Sequence, residues 1–191
     1  KILAMNNKYL SKLNFNKPKS FVAMNPFTSN RVNNYREWDY DNYLFIADYL
    51  KNEYSIDTVF LGKTSAKKKL QFEESIKNKP NVISMINKTS LGQMLCILNI
   101  SKFYIGPDSG SLHMANMLKV PVIGLYATSN PKRTGPYNNL NYTVDKYEEA
   151  LNKFSNKNIS NVKWGERVRE KDAMKLITLD DVKLMIKKVI S

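Results

Sequence analysis

The chain has 191 residues, of which 42% are hydrophobic and 25% charged, proportions that suit one folded domain and exclude a disordered chain. No apolar run approaches the roughly 18 residues needed to cross a bilayer, so we expect neither a membrane span nor a signal peptide. The single cysteine, Cys96, cannot form an internal disulfide, and the single histidine, His113, leaves too few ligands for a zinc site of His and Cys. These features predict a cytoplasmic protein in a reducing compartment.

The net charge of +13 arises from 30 Lys and Arg against 17 Asp and Glu, and such an excess suggests an anionic partner. The basic residues are dispersed, with Lys67-Lys68-Lys69 as the one tight run, which favours a solvated basic surface. Attraction to an acidic membrane leaflet or an anionic glycolipid is the second interpretation. Nucleic-acid binding is the third and the least favoured, because the chain has no zinc-finger spacing and no aromatic RNA-binding signature.

Hydrophobic periodicity predicts the elements in chain order. Residues 1–14 have apolar positions at helical spacing, and from residue 21 short apolar runs alternate with longer segments of helical period, as in the βα units of a parallel sheet. Strands are predicted over residues 21–24, 58–61, 82–85, 103–106, 120–126 and, at the sheet edge, 142–144. Helices are predicted over residues 41–54, 66–78, 90–100, 110–118, 147–154 and 179–190. Ser90 and Gln93 have capping-box spacing at the third of these helices.

This pattern predicts an α/β fold with a Rossmann-like, doubly wound parallel sheet. We assign residues 1–19 to a linker helix, residues 20–145 to the Rossmann-like domain, and residues 146–191 to a helical extension packed on it. The segment 128–139 is predicted to be a loop.

The segment from Gly106 to His113, at the end of the fourth predicted strand, best fits a ligand site. Ligands of open parallel sheets bind beyond the carboxyl ends of strands, and a helix start offers free N–H groups and a partial positive charge to an anion. Gly110 lets a pyrophosphate approach the backbone, and Asp108 or Ser109 can cap the helix. His113 follows one turn later on the same face as Ser109, and we expect a neutral imidazole there. A capped turn with a half-buried histidine is the alternative interpretation.

Other chemical interpretations of the sequence are weaker. The spacing of Gly106, Asp108 and Gly110 resembles a nucleophile elbow with Asp as nucleophile, but that fold places its histidine late in the chain rather than five residues after the nucleophile. Neither a dinucleotide-binding nor a Walker signature occurs. Asp39-Tyr40-Asp41 has the form of a cation-binding D-x-D motif, yet it precedes a predicted helix, and capping explains it. We therefore expect no metal site.

A second polar group follows the first predicted strand. Thr28 and Ser29 supply hydroxyls there, and Arg31 and Arg36 come shortly after them. In a chain so rich in lysine the use of arginine is informative, because a guanidinium group can hold two phosphate oxygens at once. Stacking of Arg36 on Trp38 is the alternative role for this side chain.

Taken together, these motifs resemble the C-terminal half of glycosyltransferase family 9, the family of the lipopolysaccharide heptosyltransferases. The similar segments are residues 25–38, 59–62, 88–91, 106–115 and 121–137. The most specific of them is Asp108-Ser109-Gly110-x-x-His113. The resemblance implies a GT-B architecture, in which two Rossmann-like domains face a cleft and the C-terminal one binds the nucleotide sugar.

The resemblance also implies which residues surround the donor. They are Thr28, Ser29, Arg36, Thr89, Leu91, Asp108, Ser109, Gly110 and His113. Thr89 and Leu91 are expected near the base, whereas Arg36 and His113 are the expected catalytic residues, since they would stabilise the leaving nucleotide. The general base of the family comes from the N-terminal, acceptor-binding domain, which we expect this chain to lack, so that alone it would be inactive.

The implied activity is an inverting, metal-independent transfer of a sugar from a nucleotide sugar to a glycolipid acceptor, on the inner face of the membrane, with no added cofactor. An ADP-sugar is the favoured donor. Arg36 stands where the family usually has lysine, and Lys63 follows Gly62 where the family usually has a nucleoside-binding glutamate, which leaves the identity of the base open. The alternative function is a nucleotide-diphosphate-binding module without transferase activity.

Overall fold

A computed structural model of the chain describes residues 9–28 and 34–191. Six strands form one parallel sheet: β1 (Phe21–Met24), β2 (Asp57–Phe60), β3 (Val82–Ser84), β4 (Tyr104–Pro107), β5 (Val122–Tyr126) and β6 (Val144–Asp145). Their spatial order is β3-β2-β1-β4-β5-β6. Because the chain winds outward from β1 in one direction and from β4 in the other, the sheet is doubly wound, which confirms the predicted fold class.

Seven α-helices connect or follow these strands: α1 (Tyr40–Tyr54), α2 (Ala66–Ser75), α3 (Leu91–Asn99), α4 (Gly110–Met117), α5 (Pro131–Thr134), α6 (Tyr147–Ser155) and α7 (Leu179–Ile190) within the described ranges. The predicted capping box of Ser90 and Gln93 is present at α3. No helix among the described residues is long and apolar enough to span a bilayer.

Three predicted segments differ from the structure. The loop over 128–139 contains α5, which begins where Asn130 caps the N–H of Lys132 and Pro131 occupies the first turn. The edge strand begins at Val144 rather than at residue 142, because residues Tyr137–Tyr142 form a 3₁₀ helix. Of the helix predicted over residues 1–14, residues 1–8 lie outside the described part, and the helix ends at Leu10.

The apolar side chains after Leu10 have a different role from the one predicted. The backbone N–H of Leu13 donates to the carbonyl of Leu10 at 3.0 Å, closing a turn. Leu10, Leu13 and Phe15 then pack against one of the two hydrophobic clusters of the core. The helical spacing of Leu10 and Leu13 therefore reflects burial in a turn beside the sheet rather than a continuing helix.

The core has a cluster on each face of the sheet, and the alternation of side chains along β1 shows how they form. Val22 and Met24 belong to one cluster, and Phe21 and Ala23 belong to the other. Helix α7 packs into the first cluster, which also contains Trp38. The indole N–H of Trp38 donates a hydrogen bond of 3.0 Å to the carbonyl of Ile177, two residues before α7. With both faces covered, the carboxyl ends of the strands are left open to a ligand.

Candidate functional site

A cavity of about 330 Å³ opens at the carboxyl ends of β1 and β4, where the strand order reverses. We call it the switch-point cavity. Its lining residues are Asn25, Phe27, Thr28, Gly62, Lys63, Thr89, Ser90, Leu91, Met94, Ser109, Gly110, Ser111 and Met114. Five residues of the predicted site are among them: Thr28, Thr89, Leu91, Ser109 and Gly110. The structure thus brings Thr28 together with predicted residues from two later segments, Thr89 and Leu91 in one and Ser109 and Gly110 in the other.

A buried hydrogen-bond network forms the floor of the cavity. The Asn25 side-chain amide donates to the Ser111 hydroxyl at 2.8 Å, and Ser111 also lies 2.8 Å from the Tyr104 hydroxyl. Burial raises the pKa of Tyr104 to about 12, partly offset by its hydrogen bonds to serine hydroxyls, so the group stays neutral. Sequence reasoning missed this network, in which β1, β4 and the first turn of α4 are joined.

Gly62 closes the cavity on the β2 side. Its φ of +111° lies in the region that L side chains rarely adopt, and a Cβ there would come within 2.2 Å of the Asn25 side-chain oxygen. The close approach leaves no room for any other residue, so that Gly62 and Asn25 fix the relative position of two loops that line the cavity.

The start of α4 presents free backbone donors to the cavity. Ser109 occupies the N-cap position, but its hydroxyl lies 3.0 Å from that of Ser111 and makes no cap hydrogen bond. Ser109 thus occupies the predicted N-cap position, but the expected cap hydrogen bond is absent, because its side chain, like that of Asp108, has another partner. A Cβ added to Gly110 would meet only the terminal methyl of Met114, at 3.6 Å. The first N–H groups of the helix consequently keep no intrahelical acceptor and are available to an anion.

Asp108 joins two predicted catalytic side chains rather than lining the cavity. Its carbonyl oxygen accepts a hydrogen bond of 2.9 Å from Arg36, and its carboxylate lies 3.5 Å from His113 Nε2 and accepts a hydrogen bond of 3.2 Å from Ser129. Burial raises the pKa of Asp108, but the hydrogen bond from His113, the charge of Arg36 and the hydrogen bond from Ser129 outweigh it, so the pKa lies below its usual value. The backbone carbonyl of Asp108 therefore holds Arg36, while its ionised carboxylate faces His113 and lies 4.0 Å from the Arg36 guanidinium.

Arg36 does not adopt the alternative role of stacking on Trp38. The Trp38 ring is buried and packs edge-on against Tyr43, with their centroids 5.1 Å apart, while the Arg36 guanidinium reaches across to Asp108, 72 residues further along the chain. Its side chain remains 22% exposed and that of His113 48%. Neither side chain lines the switch-point cavity, but both are accessible to a ligand beside it, where Asp108 adjoins Ser109 of the cavity wall.

Glu37 is a further organising residue that the sequence did not reveal. Its carboxylate accepts hydrogen bonds of 2.9 Å from the Thr28 backbone N–H and 3.0 Å from the Asn34 side chain, and it pairs with Lys68 at 2.7 Å. Asn34 also donates to the Thr28 hydroxyl. These contacts join Thr28 to Asn34 and Glu37. The predicted residues Ser29 and Arg31 lie outside the described part of the chain.

The Asp39-Tyr40-Asp41 motif is a helix cap, as predicted. The Asp39 carboxylate accepts a hydrogen bond of 3.1 Å from the Asp41 backbone N–H at the start of α1. Among the described residues, no three His, Cys, Asp or Glu side chains are grouped so that they could hold a metal ion.

Residues 3–163 match the sequence profile of glycosyltransferase family 9 (heptosyltransferase). The chain is also 32% identical, over 156 residues, to the lipopolysaccharide core heptosyltransferase OpsX of Haemophilus influenzae; the alignment covers 81% of this chain and 44% of OpsX.

Solved structures show the same fold. The E. coli ADP-heptose LPS heptosyltransferase II superposes with a TM-score of 0.69 and 18% identity, over 98% of this chain and 51% of that one. A glycosyltransferase of family 9 from Veillonella parvula superposes with a TM-score of 0.67 and 18% identity, over 99% of this chain and 51% of that one. The chain therefore spans about half the length of these relatives.

Proposed function

The chain belongs to glycosyltransferase family 9, as its sequence motifs predicted, and on this premise we propose that it is the nucleotide-sugar-binding half of a heptosyltransferase-like enzyme with GT-B architecture. The observation that carries the proposal is the switch-point cavity. It joins the Thr28 loop, the start of α3 and the start of α4 in one space, and it lies where open parallel sheets bind nucleotides.

The two ends of the cavity suit different parts of a nucleotide diphosphate. Leu91 and Met94 give one side an apolar surface for a base, with the Thr89 hydroxyl beside them. At the other side Gly110 and the free N–H groups of α4 suit the diphosphate. An ADP-sugar is the donor that we propose, since the similar E. coli enzyme is described as an ADP-heptose heptosyltransferase. Lys63 lines the cavity, and it supplies a cation where the family usually has glutamate.

In the proposed mechanism the chain stabilises the leaving group. As the bond between the sugar and the diphosphate breaks, the nucleotide gains negative charge, and preorganised donors that face this charge lower the barrier. Arg36 and His113, which Asp108 keeps beside the start of α4, supply these donors together with the N–H groups of that helix. With this positive charge supplied by the protein, we propose an inverting, metal-independent transfer whose general base comes from the acceptor-binding domain.

The acceptor that we propose is a glycolipid of lipopolysaccharide core assembly, in keeping with the activity for which OpsX is named. Such an acceptor is anchored in a membrane, and the net charge of +13 would favour a peripheral position at the anionic inner leaflet.

Calorimetry with ADP-heptose, ADP, UDP-, GDP- and CMP-sugars tests the donor assignment. We expect the 191-residue chain to bind ADP-heptose and ADP with similar affinity, to bind the other nucleotides at least tenfold more weakly, and to transfer no sugar by itself. Binding of none of these nucleotides would refute the proposed donor site. Equal binding of every nucleoside diphosphate would instead favour a diphosphate-binding module without transferase activity.

A further inference from the structure

The arginines of this chain are concentrated in one place. Of its five arginines four lie among the described residues, and all four line two adjoining grooves. The first, of about 290 Å³, is lined by Asn34, Tyr35, Arg36, Thr128, Arg167, Val168 and Arg169, and we call it the arginine groove. The second shares Arg167 and Arg169 with it and adds Arg133. The chain has 25 lysines, yet none of those in the described ranges lines either groove.

The segment that carries Arg167 and Arg169 is held firmly against the sheet. The Val168 backbone N–H donates to the Thr128 carbonyl at 3.0 Å, and Arg167 forms a β-bridge with Ser129. The Val168 side chain is buried in the core, while the arginines on either side of it are exposed. The two guanidinium groups therefore project from a fixed backbone into the groove.

Neither arginine forms an ion pair within the described part of the chain. No carboxylate oxygen lies within 4.0 Å of Arg167 or Arg169 there; the pKa of the neighbouring Glu166 is lowered by its hydrogen bond of 2.7 Å with Lys157 and, at longer range, by the charge of Arg169. Arg36 faces the same groove, and the described carboxylate that pairs with it, that of Asp108 at 4.0 Å, also interacts with His113 and Ser129. Three guanidinium groups around a small polar cavity suit an oxyanion, because each can donate two parallel hydrogen bonds to it.

We infer that the arginine groove binds a phosphate group carried by the sugar acceptor, beside the donor. Arg36, which lines the groove, bonds to the carbonyl of Asp108, the residue before Ser109 of the switch-point cavity, and Ser129, next to the groove residue Thr128, bonds to the Asp108 carboxylate. The groove shares no lining residue with the switch-point cavity, where we place the donor diphosphate. Arg167 and Arg169 follow the end of the family match at residue 163, so that match assigns them no role. The identification of the ligand as an acceptor rests on the proposed transferase function.

The test is a titration of inorganic phosphate into the 191-residue chain at constant ionic strength, with and without saturating ADP. We expect the wild-type chain to bind phosphate in the presence of ADP. The double variant Arg167→Ala/Arg169→Ala should bind it at least tenfold more weakly, and its affinity for ADP should stay within twofold of the wild type. The matched control Lys163→Ala/Lys187→Ala also removes two exposed charges, but from residues outside the groove, and should bind phosphate normally.

Each alternative outcome has a distinct meaning. An equal loss of phosphate binding in both double variants, or no loss in either, would overturn the inference. A tenfold loss of ADP affinity in the arginine variant would also overturn it, because the arginines would then belong to the donor site. If ADP fails to bind the wild type, the proposed function fails, while the titration without ADP still tests the groove.

Flotation with phosphatidylglycerol vesicles distinguishes a phosphate on the sugar acceptor from a phosphate in a lipid headgroup. Reduced flotation of the arginine variant, with normal flotation of the lysine control, would indicate a lipid headgroup and overturn the acceptor assignment.

Discussion

Gly110→Val should remove nucleotide binding without destabilising the fold. The position is the first residue of α4, and a Cβ there meets only a flexible methionine methyl at 3.6 Å. The added side chain would fill the part of the switch-point cavity that the diphosphate needs. It would do so without touching the core, because the space around Gly110 is open in the free protein.

The expected magnitudes follow from these contacts. Replacing glycine by valine within a helix improves intrinsic helix propensity by about 0.3 to 0.5 kcal/mol, which for a chain of this length changes the melting temperature by about 1 to 2 °C. A diphosphate displaced from the helix start would lose at least two charge-assisted hydrogen bonds, each contributing about 1.5 kcal/mol or more. That loss, about 3 kcal/mol, corresponds to a reduction in affinity on the order of 100-fold.

Gly106→Ala is the matched control, because it places a Cβ in a space that is filled. A Cβ at Gly106 would lie 2.3 Å from the hydroxyl of Tyr104, whose ring is fully buried and hydrogen-bonded to Ser111. Overpacking of this kind costs about 1 to 3 kcal/mol and should lower the melting temperature by about 2 to 12 °C.

Thermal melts measure the stability of both variants, and calorimetric titrations with ADP measure their affinity for the nucleotide. Wild-type affinity of Gly110→Val for ADP would contradict the assignment of the diphosphate to the start of α4. Melting of that variant as early as Gly106→Ala would also count against it, since Gly110 would then be needed for the fold itself.

Three further predictions concern charge. Arg36→Ala should weaken ADP binding by about 1.5 to 3 kcal/mol, the range for a hydrogen bond to a charged group, and Arg36→Lys should recover part of it; an unchanged affinity by calorimetry would contradict the assigned role. The folded state depresses the pKa of Asp108, so its ionised form stabilises the fold above the pKa of the unfolded chain, and this contribution is lost as the pH falls through the folded pKa. The stability advantage of the wild type over Asp108→Asn in urea unfolding should accordingly shrink below about pH 4, and a constant difference between pH 7 and pH 3 would count against it. Finally, the chain should float with anionic vesicles more than with neutral ones, and less so as salt is added; equal flotation with both kinds of vesicle would argue against a membrane-facing charge.

The fold could be predicted to a large extent because it is encoded in local patterns. The alternation of short apolar runs with helical segments predicted the parallel sheet, and strand 21–24 and helix 179–190 have the predicted bounds. The segments that differ are those whose structure depends on distant contacts. Leu10 and Leu13 have apolar spacing that suits a helix, yet they pack against a cluster to which strands and helices from much later in the chain contribute. Local periodicity cannot distinguish a helix from a turn that packs on the sheet, because both bury the same side chains.

The candidate site shows the same division between local and distant information. A glycine followed by a helix predicts an anion site within a few residues, and the structure places Gly110 at such a helix start, lining the cavity. Asn25 and Glu37, by contrast, give no local signal, because their partners are known only once the sheet brings separate loops together. Asn25 bonds to Ser111, 86 residues away, and Glu37 bonds to Thr28 and Lys68.

Asp108 illustrates why a motif does not by itself assign roles to its residues. A carboxylate beside a diphosphate would repel it, so its presence in an anion site requires compensation. The structure supplies that compensation: Arg36 and His113 adjoin Asp108 from two elements, and Ser129 bonds to it from a third. The net charge of Asp108, Arg36 and the helix start is therefore positive toward the ligand even though the motif contains an acid. In the proposed mechanism Asp108 therefore acts by holding Arg36 and His113, which would meet the ligand, a role visible only from the contacts across the sheet.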